Sequence, residues 1–192
     1  MDKKLVLASA SPRRYELLNR LGLDIIVDPS NCSEDINNNG DYGTLVSELA
    51  QKKALTVAKR HKNCIIIGAD TIVVIDNQIL GKPSCVEQAE KMLKNLSGRW
   101  HSVFTGISLI DSDTFEGCKD FEESRVKFKK LTTREISNYI ETGEPMDKAG
   151  GYGIQGLGSL LVEKIQGCYY NIVGLPLFKL NQLFSNFNIE II

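Results

Sequence analysis

The sequence predicts an α/β protein with a mixed sheet and flanking helices, and three observations carry that expectation. Residues 5–8 and 64–69 are short, wholly apolar runs, the mark of strands covered on both faces. Several periodic segments open on helix-start residues and close on glycine. Strands and helices then follow one another without strict alternation, which suits a mixed sheet better than a regular doubly wound one.

Taken in order, the strand at 5–8 passes directly into a helix. Ser11 stands at the N-cap, Pro12 at the first helical position, and RRYELLNRL runs on to Gly22. Residues 31–43, NCSEDINNNGDYG, are polar and Asn-rich and read as a loop, on the surface or at a cleft mouth. A second helix is expected over 44–60, then the strand CIIIGA at 64–69, then TIVVIDNQIL as a hairpin turning near Asp76-Asn77. Ser84 with Glu87 makes a capping box for a helix to about Leu96, ended by Gly98. Strands are expected over 100–111 and part of 115–130, and Thr132 with Glu135 caps a helix that stops at Gly143. The glycine-dense AGGYGIQGLG (149–158) precedes a strand around 159–165; a helix over 177–184 and a last strand finish the chain.

Composition bounds the function. The 192 residues suffice for one domain over 1–192, with or without two lobes. A formal net charge of -1 argues against bulk attraction to nucleic acid or an anionic membrane, so any anion site must be a local cluster. No run nears the roughly 18 apolar residues of a spanning helix, and the apolar stretch near the N-terminus is too short for a secretion signal. Five cysteines without a CxxC pair and only two histidines argue against a disulfide framework or a zinc site, and for a reducing, cytoplasmic setting.

The chemistry-bearing clues are places where the sequence works against its own local structure. Arg13 and Arg14 occupy the first helical turn, where the macrodipole favours acids. Beside free backbone N–H groups they make an anion site, or they are two solvated arginines; the tight Ser9-Ala10-Ser11-Pro12 turn after a buried strand favours a phosphate cradle. Lys53 falls on the apolar stripe of Val46, Leu49 and Val57, as a snorkelling side chain or as an ammonium delivered into a cleft. Asp70 closes a buried strand, where α/β sheets place chemistry; it either caps a turn or acts as metal ligand or general base. Lys82 is held between Gly81 and Pro83, or is an ordinary hairpin-end lysine. GYGIQG (151–156) matches GxGxxG formally but lacks the strand before it and the helix after it, so its glycines read as close backbone approach, with Gln155 the one amide offered there. His61 and His101 have no ligand spacing, and no GxSxG context surrounds Ser9 or Ser11.

The blocks LASASPRRYELL (7–18), ELAQKKA (48–54), IGADTIVV (67–74), ILGKP (79–83), LSGRWHSVFTG (96–106), GEPMDKAGGYGIQG (143–156) and NIVGLPL (171–177) resemble the Maf family of nucleoside triphosphate pyrophosphatases along nearly the whole chain. The resemblance implies a cytosolic hydrolase that cuts nucleoside triphosphates between the α and β phosphates with a divalent cation, Mg2+, Mn2+ or Co2+. It implies an inosine triphosphatase-like fold, an elongated mixed sheet with helices in two lobes around a cleft, in many members a homodimer. Carried over by position, Ser9, Arg13, Arg14, Lys53 and Lys82 match the triphosphate-binding residues and Asp70 the proton acceptor. Glu34 matches an acidic loop position linked to metal, with Asp35 the alternative. Arg13, Thr71 and Gln155 occupy the positions that differ between branches, and their combination resembles the branch acting on dTTP and UTP. Gly151 stands where alanine is more usual.

Four cations from three separate segments match a magnesium-bound triphosphate, and catalysis by positioning and electrostatics needs no covalent intermediate. Asp70 as tight ligand and Asp70 as strong base are competing roles. Gln155 can donate to a pyrimidine O4 and accept from N3–H, the pattern uracil and thymine share. House-cleaning of modified pyrimidine nucleotides is a variant of this reading that differs only in physiological substrate. The competing class is a regulatory protein that restrains septum formation through cell-division partners, for which no charged tail, coiled coil or basic stripe is visible.

Overall fold

A computed structural model describes residues 3–32 and 41–192. In chain order its elements are β1 (Lys4–Leu7), α1 (Pro12–Arg20), β2 (Ile25–Val27), α2 (Tyr42–Ala58), β3 (Cys64–Ile75), β4 (Gln78–Leu80), α3 (Val86–Leu96), β5 (Trp100–Asp111), β6 (Gly117–Phe128), α4 (Thr133–Glu141), β7 (Val162–Gln166), α5 (Tyr169–Val173) and α6 (Leu177–Phe184). One seven-stranded sheet runs β2-β1-β3-β5-β6-β7, with β4 beside β3. β1 pairs parallel with both β2 and β3, while β3–β4 and β6–β7 are antiparallel, so the sheet is mixed as expected.

Most elements lie where the local signals put them, and the differences have local causes. Ser11 is the N-cap of α1, but its hydroxyl makes no cap bond; its N–H donates instead to Ser9 Oγ at 3.2 Å. α2 begins earlier than residue 44 because Asp41 caps it, accepting from Thr44 N–H at 3.0 Å and from the Thr44 hydroxyl at 2.6 Å. The capping box at Ser84 and Glu87 does not form. Cys85 is the N-cap, and Gln88 Oε1 reaches back to accept from Ser84 N–H at 2.7 Å and its hydroxyl at 2.8 Å. The box at Thr132 and Glu135 is present, and Lys129 with these cap bonds holds the Glu135 carboxyl down at about 2.

The strand expected around 159–165 starts only at Val162, because a 3-10 turn occupies Gly156–Leu161. No strand follows α6. Asn188 takes a left-handed backbone (φ 53) and Ile189 N–H bonds back to Phe184 O, which ends the chain as a cap. β2 and α5, at three and five residues, were not anticipated.

Two compact units make up the chain. The first comprises Met1–Asp70, Thr105–Glu122 and Gly174–Ile192; its core includes Val6, Ala54, Val57, Ile66 and Ile110. The second comprises Thr71–Phe104 and Glu123–Val173; its core gathers Val73, Leu93, Val126, Phe128, Ile136 and Tyr152. In the first unit α2 lies against the backbone of β3. A Cβ on Gly68 would stand 2.1 Å from Ala50 O and 2.9 Å from Ala54 Cβ, so only glycine admits the helix. Val46, Ala50, Ala54 and Val57 make this fully buried face.

Candidate active site

In the first unit the parallel register of β1 and β3, with Leu7 opposite Ile67 and Ala8 N–H donating to Ile67 O at 2.8 Å, sends both strands the same way. The turn after β1 therefore lies beside residues 68–70. Arg14 ties the two together. Its Nη1 donates to Ser9 Oγ and to Ala69 O, both at 2.9 Å, and its Nε to Gly174 O at 2.8 Å. Arg14 is buried, whereas Arg13, one residue earlier on α1, is half-exposed. The Ser9 oxygen accepts from Ser11 N–H and from Arg14, which orients the hydroxyl proton away from both.

Asp70 does not end a strand: β3 runs unbroken through it. It stands three residues past the last pair with β1 and is 6% exposed. Lys53, on the turn of α2 that packs over Gly68, forms an ion pair with Asp70 Oδ1, and both side chains are nearly buried. The lysine that broke the apolar stripe of α2 thus meets the carboxylate that broke the apolar run of β3. Each explains the other, because a buried charge is tolerated when it is paired.

In the second unit Thr71 follows Asp70 on β3, and the pleat turns it to the opposite face. Lys82 is exposed. Its neighbour Gly81 accepts through its carbonyl from Gly150 N–H at 3.0 Å, which joins the Lys82 segment to the glycine-dense loop carrying the half-buried Gln155. Sequence reasoning missed the residues that shape this loop. Glu144 accepts from Leu157 N–H and Gly158 N–H, each at 3.1 Å, and from the Tyr139 hydroxyl at 2.9 Å. Tyr139 in turn accepts from Gly153 N–H at 3.2 Å. Tyr152 is pinned through its hydroxyl to His101 Nε2 at 2.7 Å. The available signal was a carboxylate placed between the helix stop at Gly143 and the glycines, where a run of backbone N–H groups needs acceptors.

Glu34 and Asp35 lie outside the described residues. Among the described residues no three His, Cys, Asp or Glu side chains come together as a metal cage. Asp70 is a hard oxygen donor and suits a cation of the magnesium kind, which keeps several waters and is bound by one or two carboxylates plus substrate phosphates. All five cysteines are free thiols, and no described helix is long and apolar enough to cross a membrane.

Residues 4–187 match the family model described as Maf-like protein. The dTTP/UTP pyrophosphatase of Desulforamulus reducens is 47% identical over 190 residues, 99% of this chain and 100% of that protein. Its namesake from a Thermoanaerobacter species is 53% identical over 178 residues, 92% and 93% of the two chains. That of Caldicellulosiruptor saccharolyticus is 49% identical over 193 residues, 98% and 97%. With a family match over nearly the whole chain and relatives similar from end to end, the chain belongs to the Maf family.

Proposed function

We propose that this chain hydrolyses nucleoside triphosphates, dTTP and UTP foremost, between the α and β phosphates, releasing the monophosphate and pyrophosphate. The observation that carries the reading is the nearly buried Lys53–Asp70 ion pair in the unit that also holds the Ser9–Arg14 turn. The names of the relatives support it.

The triphosphate's charge is met by Lys53, Arg13 and Arg14, by the Ser9 hydroxyl proton, and by Lys82. As the Lys53 ammonium engages phosphate oxygens, the Asp70 carboxylate loses its cationic partner and becomes available to a water molecule. The water oxygen attacks the α-phosphorus, its proton passes to Asp70, and the bond from α-phosphorus to the bridging oxygen breaks with pyrophosphate as leaving group. Where Asp70 serves as ligand in place of base, it and Glu34 would hold a divalent cation, Mg2+, Mn2+ or Co2+, which would supply charge neutralisation on the phosphates and a more acidic water. Gln155 reads the base through its amide, donating to O4 and accepting from N3–H, with Thr71 and Arg13 supporting that edge or the adjacent phosphate. The proposal extends to a single functional domain over 1–192 and a cytoplasmic homodimer, both resting on the resemblance.

Asp70→Asn tests the chemistry. The variant keeps the shape of the side chain and should fold, judged by circular dichroism, while kcat on dTTP falls by on the order of 10²–10⁴. Near-normal turnover in that variant removes Asp70 from the reaction. Product analysis across a nucleotide panel tests the rest: orthophosphate in place of pyrophosphate, or ATP or GTP as best substrate, overturns the assignment.

A further inference from the structure

The loop that bears Gln155 is glycine-rich and leaves regular structure on both sides, yet Gln155 itself is held between two fixed points. On its N-terminal side Gly153 N–H donates to the Tyr139 hydroxyl at 3.2 Å. On its C-terminal side Leu157 and Gly158 N–H donate to Glu144 Oε2 and Oε1, each at 3.1 Å. The two points are one device, because Tyr139 donates its proton to Glu144 Oε1 at 2.9 Å. The carboxylate also fills the space beside Gly156, where a Cβ would stand 3.0 Å from Glu144 Oε2. Glu144 sits at the start of the 3-10 turn Gly156–Leu161 and accepts two of the N–H groups that such a start leaves without partners. Tyr139 is 5% exposed, and burial beside the Glu144 carboxylate pushes its hydroxyl well above its ordinary range, so it stays a proton donor.

We infer that Glu144, working through Tyr139, is a positioning residue for base selection: it fixes the backbone on both sides of Gln155 so that the amide meets one pyrimidine edge in one orientation. The inference rests on the reading that Gln155 recognises the base. On an unrestrained glycine loop the amide can both turn and shift until it accepts the 4-amino group of cytosine; with the backbone clamped at 153 and at 157–158, only the side chain's own torsions are left for that. The clamp therefore acts on discrimination between uracil or thymine and cytosine, and Lys53, Asp70 and Arg14, in the other unit, make none of its bonds.

The experiment uses the full chain and compares kcat/KM for UTP with that for CTP. In Glu144→Gln, whichever way the amide is turned, an NH2 group faces an N–H or O–H donor that formerly had an acceptor, so one arm of the clamp is lost. Tyr139→Phe keeps the ring and removes the hydroxyl that joins the two arms. In both variants the UTP-to-CTP ratio of kcat/KM falls by about tenfold, chiefly through KM, the scale on which unpaired polar groups govern specificity. Adding Gln155→Ala to Glu144→Gln lowers the ratio no further than Gln155→Ala alone. If Gln155→Ala leaves the ratio unchanged, the base-reading role falls and this inference with it. If Gln155→Ala lowers the ratio while Glu144→Gln and Tyr139→Phe change only the melting temperature, Glu144 is structural and this inference alone is overturned. Should Glu144→Gln fail to fold, Tyr139→Phe decides by the same ratio.

Discussion

At the start of α1, the guanidinium of Arg14 spends three N–H groups on Ser9 Oγ, Ala69 O and Gly174 O, partners from three stretches of chain. Only a planar fork can do this; a lysine ammonium in the same place is a compact point charge on a flexible stem. Arg14→Lys therefore keeps the charge and leaves at least one buried carbonyl unpaired, at a cost of about 2–4 kcal/mol, read as a lowered urea midpoint with unchanged slope. An equal loss in Arg13→Lys would show the effect to be generic to cations there, because Arg13 is half-exposed. In the sequence the two arginines are indistinguishable neighbours. Their roles separate only through the backbone carbonyls that Arg14 meets, and a carbonyl acceptor carries no side-chain signature. Lys53 and Asp70 were legible for the opposite reason, since each violates an apolar pattern that its neighbours keep.

At the scale of elements, α2 and β3 are locked by Gly68, whose missing side chain lets Ala50 and Ala54 touch the strand backbone. Gly68→Ala puts a methyl carbon where Ala50 O already stands and has to push the helix off the strand. A loss of about 2–3 kcal/mol is expected, with kcat reduced because Lys53 rides on the same helix. Gly81→Ala is the control: nothing lies within 4 Å of the added carbon and its backbone is not left-handed, so the urea midpoint should stay within about 0.5 kcal/mol of wild type. The elements legible in advance were those with a strong period or a good cap: α1, α2, α3, α4, α6 and the apolar strands. β2 was not, being three largely exposed residues whose strand state comes from pairing with β1. The apolar C-terminus looked like a strand but does not form one: Ile189 N–H closes on Phe184 O instead.

For the whole molecule, one buried ring adds a pH dependence to stability below neutrality. His101 is 3% exposed, wedged edge-on against Phe128 and Tyr152, with Nε2 on the Tyr152 hydroxyl. Its Nδ1 has no hydrogen-bond partner among the described residues, so a protonated ring would bury an unsatisfied N–H. Burial holds its pKa down at about 4, against an ordinary value of 6.5. Between those two pH values the unfolded chain binds a proton that the folded chain refuses. Stability is therefore full above about pH 6.5 and falls as pH drops towards 4, by on the order of 3 kcal/mol. Urea midpoints from pH 7 to 4.5 should show this slope, and His101→Gln, which cannot titrate, should flatten it.

The contacts that shape the glycine-dense loop, from Gly81 to Gly150, Tyr139 to Gly153, Glu144 to residues 157–158 and His101 to Tyr152, all fall inside the second unit, whereas Lys53–Asp70 and the Arg14 bonds fall inside the first. The two sets of bonds share no residue, so a substitution that unhooks the loop breaks none of the bonds that hold Lys53 to Asp70 or Arg14 to its three acceptors.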